Sequence, residues 1–431
     1  MRRVVVTGVG VISPIGIGSA TFWANLLAGK IGIHRIAGFD PSGFPCQIAG
    51  EVPAFKIGDY VPKSYRKGAK VMARDIELAV VAADDAFKDS GLKSRAYTDT
   101  PNIDGTRFGC NIGAGLINAE LNELTLAMHA GRGEGNQIDL ARWGREGMEQ
   151  LTPLWLLKYL PNMLACHVTI IHELKGPSNT ITCADASSHL AIGEAFRTIQ
   201  RGKADLAICG GAESKVQPMG LMRQTMLKRL TESHNDSPAE AVRPFDAEAD
   251  GTALGEGGGL LILEEFEHAR NRGAKIYAEL AGFAASQDSF SVTAPDPNGH
   301  SYAKAIANAM KEAGVSPEQV DLHIPNGLGI PSHDRAELMG LSHAYDSRLE
   351  TVAMSPIKAQ IGSLAAGAGV EAAATVLAVR DGKIPPAVNT RKIDGVKLNV
   401  SPEARDARIG VAVTSVYSLG GQNAALVFRA V

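Results

Sequence analysis

Residues 181–193 read ITCADASSHLAIG and follow a Gly-Pro pair at 176 and 177. They bring together a thiol, a carboxylate and an imidazole: Cys183, Asp185 and His189. A cysteine becomes a nucleophile where a helix N-terminus lowers its pKa, and a backbone N–H beside it can then hold an oxyanion. HLAIGEAFRTIQRG (189–202) carries a helical apolar period, so the stretch leads into a helix N-terminus. Which of the three, if any, sits where chemistry can occur decides whether the stretch is an active site.

The elements that must position this turn are short β-branched runs alternating with amphipathic helices. VVVTGV (4–9), ADLAICGGAES (204–214), GLLILEE (259–265), IYAELAGF (276–283), VAMS (352–355), VAVTSV (411–416) and AALVF (424–428) read as strands. DIELAVVAADDAF (75–87), YAKAIANAMKEAG (302–314) and GAGVEAAATVLAV (367–379) read as helices beside 189–202. Near-continuous apolar strands with helices between them predict an α/β fold whose strands are buried on both faces. GEGGG (255–259) reads as a tight packing turn and as weak support for phosphate binding. GRGEGNQIDLARWGREGMEQ (131–150) is polar and glycine-rich and reads as a surface insertion. Charged joints at 231–258 and 266–275 suggest an N-terminal half, 1–270, and a C-terminal half, 271–431.

Composition excludes several classes of partner. Net charge is −3 with both signs mixed along the chain, which leaves no basic field for nucleic acid or anionic lipid. No apolar run reaches the ~20 residues needed to cross a bilayer. Five cysteines (46, 110, 166, 183, 209) without a CxxC pair point to reduced thiols in a cytoplasm. No P-loop, no dinucleotide fingerprint and no metal-ligand spacing is present, so neither cofactor nor metal is expected.

Several blocks in order resemble the β-ketoacyl carrier-protein synthases: VVVTGVGVISPIG (4–16), GPSNTITCADASSHLAIGEA (176–195), GKADLAICGGAES (202–214), the long run 243–283 and GGQNAALVF (420–428). The resemblance implies a thiolase-like, five-layered αβαβα fold of two pseudo-duplicated halves, and a Cys-His-His centre. In the family Ile-Gly begins seven residues after the cysteine, and counting back from Ile192 puts Asp185 in the nucleophile's place. Cys183 falls two residues early, where alternation places it one pleat back beneath the sheet as a small core residue; a displaced nucleophile is the alternative. His189, on the following helix, reads as a core or interface histidine. In the family's second motif Gly327, Pro331, Asp334 and Glu337 fix the register, so the first histidine has become Asn326, and His323 and His333 are off register. In the third, Lys358 is retained, ready to orient a carboxylate or tie loops together, and the second histidine has become Ser363. The family's glycine-rich gate is replaced by Tyr417, Ser418 and Leu419 before Gly420 and Gly421, and losing a flexible glycine implies a gate that no longer has to move.

Neither Asp nor Asn forms a stable thioester, and Ser363 with Asn326 supplies hydrogen bonds but no base near neutral pH. Such a loss is most like the chain length factor of type II polyketide synthases, which pairs with an active ketosynthase as a heterodimer, or a dimer of such dimers, and works with acyl carrier protein. Asp185 is a departure even there, because well-known members carry glutamine. The resemblance places Leu116 at the pocket end and Trp155 on an aromatic that reaches across a dimer interface; plain interface packing explains both equally well. Two other readings stay open: an enzyme using Asp185 for malonyl decarboxylation or acyl transfer without a cysteine, and a homodimeric module that binds acyl chains or carrier protein.

Overall fold

The computed structural model describes every residue except Asp394 and the side chain of Asn136. Among the described residues the main sheet is continuous and has thirteen strands. Ten of them make up the frame: β1 (Val4–Ser13), β2 (Phe108–Gly113), β3 (Ser178–Ile181), β4 (Leu206–Ser214), β5 (Leu254–Glu265), β6 (Ala278–Gln287), β7 (Leu322–Ile324), β8 (Ala353–Met354), β9 (Val411–Tyr417) and β10 (Gln422–Arg429). Their spatial order is β8-β7-β9-β10-β6-β1-β5-β4-β2-β3. Taken from either edge, the order is third, second, fourth, fifth, first strand of a five-strand set. The pairings repeat as well. β2 lies parallel to β3 and β4, as β7 does to β8 and β9, and the fifth strand of each set is antiparallel to its neighbours. Antiparallel pairing of β1 with β6 joins the sets at the centre.

Six helices complete five layers. Helices α1 (Arg74–Ser90) and α2 (Met163–His172) cover one outer face, while α4 (His300–Ala313) and α5 (Pro331–Tyr345) cover the other. Between the two five-strand sets lie α3 (Ser187–Gln200) and α6 (Gly369–Asp381), each touching strands of both. Position explains composition here. The outer helix α1 is amphipathic, whereas α6 is apolar or small almost all round and buried from Gly369 to Val379, because both its faces meet protein.

The architecture agrees with the α/β, five-layered expectation, and three local readings need correction. GEGGG is no turn: all five residues lie in β5, paired with β4 and β1. Its glycines serve close approach, since a Cβ on Gly259 would lie 2.2 Å from the carbonyl carbon of Gly369 at the start of α6. Strands β2, β3 and β7 escape the pattern because they are short and carry glycine or polar residues. The third correction, to Cys183, belongs to the site. Segment 131–150 is a mostly exposed excursion of short helical pieces, with a bridge between Arg132 and Ile138.

Candidate functional site

The turn at 182–187 is built by its backbone. After β3 the chain passes Cys183, enters the left-handed region at Ala184 (φ 46°), makes one 310 turn through Ala184–Ala186 and starts α3. A non-glycine residue there costs roughly 1–2 kcal/mol, which packing must offset. Ser187 locks the turn by accepting the Cys183 N–H (2.7 Å) and donating to the Ala184 carbonyl (2.7 Å). Asp185 stands at the tip, 3% exposed, and its Oδ1 has no hydrogen-bond partner among the described residues. Cys183 is not beneath the sheet: it is half-buried, caps the turn and packs beside Ala186, Ala368, Val416 and Ala424. Alternation does not extend to it because the strand has already ended at Ile181. Burial pushes its thiol pKa upward, away from thiolate. His189 is a core histidine as expected, fully buried against Thr414 (3.2 Å) and lowered to about 3 by burial and then by Lys358.

A buried ion pair organises the next two positions. Asn326 Oδ1 accepts from Lys358 Nζ (2.9 Å), its Nδ2 donates to the Tyr417 carbonyl (3.3 Å), and its backbone N–H donates to Glu337 (2.7 Å). Lys358 also pairs with Glu371 at 2.5 Å, both 1% exposed. Lys358 thus ties the Asn326 loop to the Glu371 carboxylate on α6. Asp334 accepts the N–H groups of Phe245, Leu328 and Gly329, yet burial and the adjacent Glu337 raise it to about 7. Ser363 is stitched by its backbone to the start of β5, with N–H to Ala253 O and C=O from Gly255 N, each 2.9 Å. His323 lies in β7, fully buried between Tyr345 and Ser415.

The Tyr417–Gly421 connection is a tight hairpin. The Ser418 N–H donates to Gln422 O (2.9 Å), Gly421 N–H donates to Ser418 O (3.0 Å), and Gly421 O accepts from Asp288 N (2.7 Å). Against it sits a void of about 10 Å³ lined by Arg229, Thr293, His333, Tyr417 and Leu419 among others. Among the described residues Arg229 Nε, His333 Nε2 and the Tyr417 hydroxyl lack hydrogen-bond partners, as Asp185 Oδ1 does. Burial and then Arg229 lower His333 to about 4, with Asp185 opposing. Sequence reasoning set His333 aside as off register and missed Arg229. Nothing local marks Arg229, which reaches this place from a loop more than forty residues beyond the elbow.

Beside the elbow opens a cavity of about 500 Å³. Its wall begins at Ala114 and Gly115, just past β2, whose end abuts Ser187. Leu116 lines it and is 66% exposed. Trp155 does not line it; its ring packs at a tilt against Tyr159 (centroids 5.3 Å apart) in the short helix Trp155–Tyr159, whose Lys158 and Tyr159 do line it. Most of the exposed large apolar side chains gather at 116–156 and 222–227, including Leu126, Leu140, Leu154 and Met226.

Residues 1–269 match the β-ketoacyl synthase N-terminal domain and residues 277–391 its C-terminal domain. The chain belongs to the β-ketoacyl synthase family. It is 35% identical over 431 residues to a 3-oxoacyl-[acyl-carrier-protein] synthase 2 of Synechocystis sp., covering 99% of this chain and 98% of that protein. Among solved structures it resembles the ishigamide ketosynthase/chain length factor, with 30% identity, a TM-score of 0.85, and coverage of 100% of this chain and 99% of that one. It also resembles a type II polyketide synthase acyl carrier protein in complex with its ketosynthase bound to the hexaketide, with 27% identity, a TM-score of 0.86 and the same coverage. No helix among the described residues is long and apolar enough to cross a membrane.

Proposed function

We propose that this chain is a non-catalytic ketosynthase-like subunit, a chain length factor, that pairs with a cysteine-bearing ketosynthase and shapes the tunnel holding the chain grown on acyl carrier protein. The observation that carries the reading is the elbow tip: Asp185 stands there, and the amide of Asn326 is already committed to Lys358 and Tyr417. A carboxylate, an amide and a hydroxyl at the three expected positions leave neither a thioester-forming nucleophile nor an imidazole to act on malonyl. The apolar side chains exposed between 116 and 156 support a partner surface, since a monomer rarely leaves so many together. In this reading the protein works in the cytoplasm, 1–270 and 271–431 are its two halves, and Trp155 and Leu116 belong to the shared interface and tunnel.

The test is co-expression with an intact ketosynthase and carrier protein. The heterodimer is expected to yield elongated product, the isolated chain none, and Asp185→Cys alone is expected to restore none. β-Ketoacyl product from the isolated wild-type chain overturns the proposal. The unpartnered Asp185 Oδ1 favours a second reading, carboxylate-assisted decarboxylation of malonyl carrier protein. Equal carbon dioxide release by wild type and Asp185→Ala removes it.

A further inference from the structure

Four side chains, each at least nine-tenths buried, gather at the Tyr417–Gly421 hairpin, and each keeps a polar atom without a hydrogen-bond partner among the described residues. Arg229, His333 and Tyr417 line the small void there, and Asp185 stands at the neighbouring elbow tip. Packing brings tip and hairpin together: Ala186, which follows Asp185, packs on Val416, which precedes Tyr417. Asp185 and Arg229 are both near enough for their charges to act on His333 and on Tyr417.

Arg229 is the odd member of this group. Its main chain is fixed, with N–H to Gln224 O (3.2 Å) and C=O from Thr252 N (2.8 Å), while its guanidinium enters no ion pair among the described residues. A guanidinium keeps its charge at every pH at which a chain folds, and a buried charge without a counter-charge is strongly destabilising. Asp185 has the opposite deficit, a buried carboxylate with an oxygen left over. The other carboxylates near Tyr417 are already engaged. Asp334 holds three loop N–H groups, and Glu337 holds two more and the Tyr302 hydroxyl. Asp185 is the carboxylate that remains for Arg229, and across a low-dielectric gap two opposite charges offset each other without touching.

The same groups leave no way in. The void measures about 10 Å³, room for one water molecule and for no acyl chain or thioester. Its roof is two segments tied to each other: Gly420 N–H donates to Val292 O (2.9 Å), Gln287 Nε2 to Gly420 O (2.6 Å) and Asp288 N–H to Gly421 O (2.7 Å). Thr293 from one segment and Leu419 from the other therefore close over it together.

We infer that Arg229 is the counter-charge of Asp185, and that the two, capped by Tyr417 and Leu419, plug this elbow against the thioester arm of a carrier protein arriving from the hairpin side. The inference rests on the non-catalytic reading and deepens it, because a plugged elbow keeps malonyl away from Asp185.

The experiment follows a thiol placed at the tip. In a Cys183→Ser background of the full-length chain, with its ketosynthase where the two co-purify, Asp185→Cys is made with Arg229 intact and with Arg229→Ala. Alkylation by a chloroacetyl-pantetheine amide, in which the thiolate displaces chloride, is read at that position by peptide mass. It is expected to be at least about tenfold slower with Arg229 present. Equally fast alkylation overturns the plug, and equally slow alkylation overturns the part given to Arg229. Melting temperatures test the charge pair without a new thiol: Arg229→Met should lower the melting temperature of the wild-type chain, and should lower it far less in Asp185→Asn. The same shift in both backgrounds overturns the pairing. Failure of the reading beneath is seen separately, as β-ketoacyl product from the isolated wild-type chain.

Discussion

At Ala184 and again at Ala365 a non-glycine residue adopts φ 46°, a single 310 turn follows and a helix enters the middle layer. The first turn presents the Asp185 carboxylate. The second presents only the backbone of Ala365–Gly367, whose Ala366 N–H is held by Glu213 and whose Ala366 carbonyl is held by Ser188. Behind them the difference reverses: neutral His189 backs the first turn, and the Lys358–Glu371 ion pair lies beside the second. Since one backbone device serves both, its strain belongs to the duplicated fold, which at each place must turn sharply into a doubly covered helix. Left-handed φ at Ala184 is therefore no mark of catalysis. What a turn can do depends on the side chain at its tip and on the groups within reach.

The largest test of this contrast removes the charge behind the second turn. Glu371→Ala leaves Lys358 buried and unpaired, and is expected to cost about 3–5 kcal/mol in urea denaturation. Lys358→Met with Glu371→Leu should recover most of that. A loss below about 1 kcal/mol would show that the pair does not hold this region.

Next comes acid sensitivity at the first turn. His189 is held at about 3 in the folded chain against roughly 6.5 unfolded. The unfolded state thus binds the extra proton, and stability is lost as pH falls through the window from about 6.5 toward 3. Between pH 7 and 5 the contribution of one such histidine is about 2 kcal/mol. His172 and His323, also lowered to about 3 by burial, act in the same direction. His189→Gln should flatten the stability–pH curve by one group's share, and an unchanged slope would count against a neutral buried His189.

The smallest effect compares the turns directly. Ala184→Gly and Ala365→Gly should each be neutral or stabilising by up to about 1 kcal/mol, because glycine takes φ 46° without the Cβ penalty. Similar melting shifts at both sites support one shared device. Stabilisation at Ala365 with destabilisation at Ala184 would separate them.

Much of the site was legible because its register is carried by spacing. Ile192 and Gly193 fix Asp185; Gly327, Pro331, Asp334 and Glu337 fix Asn326; Gly362 fixes Ser363. Those marker residues have local reasons to persist: Gly327 (φ 49°) and Gly362 (φ 74°) take left-handed backbone, and Asp334 and Glu337 bind the loop N–H groups. Cys183 was misplaced because strand alternation was carried past the strand's end. GEGGG was misread because glycine signals a turn in sequence, whereas here it lets β5 touch α6.

The sequence by itself determined the α/β class, both middle helices and the outer helices α1 and α4, since periodicity is a local property of a chain, and through its family resemblance it set Asp185, Asn326 and Ser363 at the motif positions. Only the tertiary structure decided the fivefold strand order repeated about β1 and β6, the gathering of Arg229 and His333 near Asp185, and the crowding of Asp75, Glu213 and Glu256 at one cavity wall. Those groups come from segments tens to hundreds of residues apart, and a carboxyl's proton depends on which charges and how little water surround it, which no local pattern records.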